Sequence, residues 1–94
     1  MELSRILERV EGSRSAMASD ISGIIRIPAI GPSNGGTGEL ARADHVQSLL
    51  KGFDSVERYD TPDRFHPDVI RPNIVAKRNG SGKGTVWIVS HLDT

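Results

Sequence analysis

Thr85-Val86-Trp87-Ile88-Val89-Ser90-His91-Leu92-Asp93-Thr94 opens on the most apolar run of the chain and closes on a histidine and a carboxylate two residues apart. Val86 to Val89 do not alternate with polar residues, which predicts a strand covered on both faces. Such a strand is central and needs a neighbour on each side. Strand ends are where α/β enzymes present reactive groups, so His91 and Asp93 have the placement of the first members of a metal site. A buried strand would hold the backbone rigid and release the imidazole at the sheet edge, which is the precision a ligand requires. Neutral imidazole is a common zinc ligand, and its second ring nitrogen needs a partner that fixes tautomer and orientation. Asp93, on the same side of an extended chain as His91, is placed for that role. The bare triplet is weak evidence: with three histidines and seven aspartates, roughly one chain in five of this composition holds a His-x-Asp by chance. His66-Pro67-Asp68 is a second copy, in a proline-bounded loop where no strand fixes its geometry. On spacing and context alone, the commoner reading of His91 is a surface-loop histidine followed by an ordinary turn aspartate.

Working back from this run, two further β-like stretches precede it, Ser55 to Tyr59 and Asn73 to Arg78. The first two are separated by Asp60 to Asp68, an irregular loop with two prolines. The last two are joined by Asn79-Gly80-Ser81-Gly82-Lys83-Gly84, a connection suited to an antiparallel hairpin. Only two strands are therefore available to flank a central one, and the sheet reads as unfinished. Towards the N-terminus, Leu3, Ile6, Leu7, Val10, Met17, Ala18, Ile21, Ile24 and Ile25 recur at helical spacing, predicting one long helix over 2–27, softened at Gly12-Ser13. Pro28 ends it by biasing Ile27 away from helical angles. Ser33 to Gly38 reads as a flexible loop. Thr37 is the expected N-cap of a second helix running through Leu40, Ala43, Val46, Leu49 and Leu50, with Gly52 at its end. The expected architecture is α/β, with two N-terminal helices packed on a mixed β-sheet.

Composition narrows the function. The chain has 94 residues, 36% hydrophobic and 4% aromatic, so its core should be aliphatic and thin. Twelve basic and twelve acidic side chains cancel, which removes the electrostatic footprint of a nucleic-acid or anionic-membrane binder. Small molecules or protein surfaces are the expected partners. With no cysteine, thiolate metal sites are excluded and His, Asp and Glu remain as ligands. The start lacks a basic segment followed by an apolar one, so a cytoplasmic protein is expected. Gly80-Ser81-Gly82-Lys83-Gly84-Thr85 is not a phosphate loop, because Gly84 interrupts the Gly-Lys-Ser/Thr pattern and the segment joins strands.

Taken in order, Ile25-Arg26-Ile27-Pro28-Ala29-Ile30, the Asn34-Gly35-Gly36-Thr37-Gly38-Glu39 loop, Arg71-Pro72-Asn73-Ile74-Val75-Ala76 and the terminal Ser90-His91-Leu92-Asp93-Thr94 are similar to segments of one family. That family comprises the two-metal peptidases and amidohydrolases that include aminoacylase, acetylornithine deacetylase, succinyl-diaminopimelate desuccinylase and carboxypeptidases. The resemblance covers nearly the whole chain, though only its last residues are specific to the chemistry. It implies that residues 1–94 form the N-terminal fragment of a metallopeptidase catalytic domain, an incomplete piece of a zinc-peptidase-like fold. It further implies hydrolysis of an amide bond in an N-acyl amino acid or small peptide, with zinc or cobalt as two divalent cations. His91 is then the family's first metal ligand and Asp93 the carboxylate at the catalytic centre that orients it; the other ligands and the general base would lie beyond Thr94. The fragment alone would be inactive, and its exposed edges would favour a homo-oligomer. The competing expectation is a small non-catalytic α/β interaction module, in which His91 is incidental.

Overall fold

The structure is a computed structural model that describes residues 2–94. In place of one long N-terminal helix there are two, α1 at Leu3–Gly12 and α2 at Arg14–Ile25. Gly12 is a poor helix former, and the Ser13 hydroxyl competes for a helical carbonyl by donating to Arg9 O at 2.8 Å. The break falls where the sequence was expected to soften. The apolar stripe of these helices lies open: Leu7 is 58% and Ile21 56% exposed, so periodicity alone did not secure it a partner.

Residues 26–39 are pinned rather than flexible. A 3-10 turn at Pro32–Asn34 leads into Gly36, whose N–H donates to Gly31 O at 3.1 Å, and Gly38, whose N–H donates to Ile30 O at 2.9 Å. A Cβ at Gly36 would stand 1.9 Å from Ile30 O, so only glycine allows this approach. Helix α3 spans Leu40–Leu49, and Glu39, not Thr37, occupies its N-cap position. No side chain caps α3, because the Glu39 carboxylate is engaged by Arg71.

Strand β1, Ser55–Pro62, pairs antiparallel with β2, Ile70–Lys77, from Ser55↔Lys77 to Pro62↔Ile70. The hairpin is thus closed by the 63–69 loop and not by the glycine-rich 79–84 segment. The loop is ordered by Asp63: its carboxylate accepts the Phe65 and His66 N–H groups at 3.0 Å each, a local turn favoured by aspartate. Along one face of the pair, Val56, Arg58, Ile74 and Ala76 are half-buried beneath α3, which Arg58 grips through Gln47 Oε1 at 2.6 Å and Asp44 Oδ1 at 3.0 Å.

The third strand does not form among the described residues. Residues 78–94 carry no ladder, and Val86, Trp87, Ile88 and Val89 are 89%, 75%, 91% and 88% exposed. A strand buried on both faces needs two covering layers and two neighbours. Helix α3 supplies one layer to one face of one hairpin, and among the described residues no element covers this run. The expected mixed sheet is therefore a two-stranded antiparallel one, within an arrangement that still combines helices and strands.

Among the described residues, only Ala29 and Ala43 are fully buried hydrophobic side chains. The accessible surface is 7884 Å², against about 5,300 Å² for a compact folded chain of this mass. The radius of gyration is 16.2 Å, against about 12 Å for a compact chain of this length. No helix among the described residues is long and apolar enough to cross a membrane.

Candidate metal centre

His91 and Asp93 sit on a segment without regular secondary structure rather than at a strand end. Their side chains nevertheless meet: His91 Nδ1 lies 2.9 Å from Asp93 Oδ1 and 3.1 Å from the Asp93 carbonyl oxygen. Both neighbours of Nδ1 are acceptors, so Nδ1 carries the proton and donates, which leaves Nε2 of the neutral ring with a free lone pair. That nitrogen faces solvent, since the His91 side chain is 84% exposed and that of Asp93 45%.

The segment is fastened immediately beside the pair. Thr94 N–H donates to the carbonyl of fully buried Ala29 at 2.9 Å. Arg42, on the first turn of α3, donates to Leu92 O at 2.8 Å and to Thr94 Oγ1 at 3.1 Å. The terminal triplet thus lies against the exit of α2 and the start of α3, the two regions that hold the buried alanines.

A second constellation was not foreseen. The Arg71 guanidinium donates through Nε and Nη2 to Glu39 Oε2 at 2.9 Å and Oε1 at 2.6 Å, and through Nη1 to Asp63 Oδ1 at 2.6 Å. Glu39 and Asp63 are 5% and 9% exposed. Arg71 chiefly, and then the Phe65 N–H, hold the Asp63 carboxyl down to about 2. The two carboxylates in turn push the Arg71 guanidinium above its ordinary value. His66 joins through Nδ1, 3.3 Å from Asp63 Oδ2, so the His66-Pro67-Asp68 triplet pairs its histidine with Asp63 rather than Asp68. Every carboxylate oxygen of Glu39 and Asp63 already has a donor, and the cluster braces the loop, α3 and β2 instead of presenting open ligands. The only sequence signal for it was a pair of carboxylates flanking two loops and an arginine entering a strand, which no spacing rule connects.

The chain is similar to a metallohydrolase. Over 81 residues it is 35% identical to a protein of Methanocaldococcus jannaschii described as an uncharacterized metallohydrolase, a match that takes in 78% of this chain and 19% of that relative. The chain therefore spans about a fifth of the relative's length. No protein-family model matches it, and no solved structure matches it significantly.

The donor chemistry at His91 suits a metal ion: a neutral imidazole, oriented by a carboxylate, offering Nε2 to solvent. Among the described residues no group of three or more His, Cys, Asp or Glu comes together to complete such a site. A catalytic zinc takes three protein ligands, and the described residues do not assemble that set.

Proposed function

We propose that this chain is the N-terminal part of a metal-dependent hydrolase acting on amide bonds of N-acyl amino acids or small peptides, as in the aminoacylase and desuccinylase family. In this reading His91 is a metal ligand through Nε2, and Asp93 fixes its tautomer and direction. The observation that carries it is the 2.9 Å contact between His91 Nδ1 and Asp93 Oδ1 on a segment fastened to buried Ala29. Similarity to a metallohydrolase over most of the chain supports it. A divalent cation held there, zinc or cobalt, supplies Lewis acidity toward a scissile carbonyl and acidifies a water molecule. Asp93 keeps Nδ1 protonated, so that the opposite nitrogen remains a lone-pair donor through the reaction. The remaining ligands and a general base come from residues outside this chain.

The test uses a longer protein that carries this chain. Asp93→Ala should weaken cobalt or zinc affinity by roughly ten- to a hundredfold, and His91→Ala should remove one equivalent of bound metal along with release of amine from N-acetyl amino acids. Full metal content and activity in both variants would refute the assignment. The 94-residue chain alone should show no turnover. An interaction module, by contrast, would bind no metal in any form.

A further inference from the structure

Asn79 N–H donates to Asp54 Oδ2 at 2.6 Å, and beyond it the segment joins no strand ladder. From Gly80 onward, among the described residues, the hydrogen bonds that reach the segment from the rest of the chain converge on Leu92 and Thr94. Two of these three bonds are made by one side chain, that of Arg42. Arg42 Nε and Nη2 both donate to Ile27 O, at 3.0 and 2.6 Å, while Nη1 turns the other way to Leu92 O and Thr94 Oγ1. One half-buried guanidinium therefore links the exit of α2 to the two residues that bracket Asp93, the first of them adjacent to His91.

We propose that Arg42 is a positioning residue, fixing the His91–Asp93 pair through the Leu92 carbonyl and the Thr94 hydroxyl. The proposal rests on the reading of His91 as a metal ligand. The planar fork is what the geometry uses. Five fixed donors let one face satisfy Ile27 and the other reach Leu92 and Thr94, which a lysine ammonium on a single nitrogen cannot do at once. Arg42 is itself held, because Glu39 at the start of α3 is bound bidentately by Arg71. The bracing cluster thus sets α3, α3 sets Arg42, and Arg42 sets the terminal triplet.

Amide hydrogen exchange of the 94-residue chain tests this, because Thr94 N–H reports the anchor directly through its bond to Ala29. Arg42→Gln should speed Thr94 exchange by about ten- to a hundredfold, while amides of β1, β2 and α3 keep their rates. The heteronuclear NOE of His91 and Asp93 should fall with it. Arg42→Lys should retain the charge yet restore little of the protection, and it serves as the measured variant if Arg42→Gln does not fold. An unchanged Thr94 rate, or an equal acceleration of the β1–β2 amides, would overturn the proposal. Failure of the hydrolase reading shows itself elsewhere, as a longer wild-type protein that retains no divalent metal, and the exchange result judges Arg42 independently of it.

Discussion

Arg71→Met is the substitution with the largest expected effect on this fold. It keeps most of the aliphatic stem and removes a guanidinium that makes three bonds to Glu39 and one to Asp63. Glu39, only 5% exposed, would be left without its cation. Stripping one partner from a buried ion pair costs about 3–5 kcal/mol. The Arg71 side chain is 36% exposed, so solvent screens part of this and the working figure is about 2–3 kcal/mol. Each kcal/mol lowers the melting temperature of a domain this size by about 4–8 °C, so the fall should be about 8–24 °C. A chain of this length has about 5–14 kcal/mol in hand, and one whose described residues include two fully buried hydrophobic side chains belongs at the low end. The assay is thermal unfolding by far-ultraviolet circular dichroism. A double variant, Arg71→Met with Glu39→Gln, should recover about 1–2 kcal/mol of the loss, because the stranded charge is gone. A fall below about 4 °C, or a double variant no more stable than the single one, would refute the bracing role.

Acid should weaken the same cluster in a defined window. The Asp63 carboxyl titrates near 2 when folded and near 3.8 as an isolated group; the unfolded chain therefore takes up its proton first, and the stability Asp63 contributes is complete above the higher value and lost as pH falls to the lower one. Melts between pH 5 and 2 should show this decline, and Asp63→Asn should flatten it; an identical pH profile in the variant would remove Asp63 from the account. At 75% exposure, Trp87 should fluoresce as a solvated indole and be readily quenched by iodide at low concentration. Raising the concentration should shift the emission to the blue and increase the sedimentation coefficient as the apolar runs pair. A shielded, blue-shifted Trp87 in dilute monomer would contradict the open segment.

The helices were legible because their signals are local. Pro28 and the Gly12-Ser13 pair act on neighbouring backbone, and both left their mark within two residues of the expected positions. The two β-like stretches were also visible, yet their partner choice was not. Asn79 to Gly84 has better turn chemistry than the loop that closes the hairpin. What decided the matter was the Asp63 carboxylate, which folds that loop onto itself and onto Arg71. The N-cap of α3 was misplaced for a related reason: Thr37 has the better capping side chain, but the pinned glycine turn and the Arg71 bond fix Glu39 at that position.

The sequence by itself determined the chemistry on offer: no thiolates, no charge excess, a His-x-Asp pair, and a helix-then-strand order, all of which follow from residue type and from spacings of a few residues. Tertiary structure alone decided which groups meet. Arg42 reaches residues 15 behind it and 50 ahead of it, and Arg71 reaches a carboxylate 32 residues back. It also decided that the most strand-like run stays open, because covering a strand depends on layers that other segments must provide and not on the run's own residues.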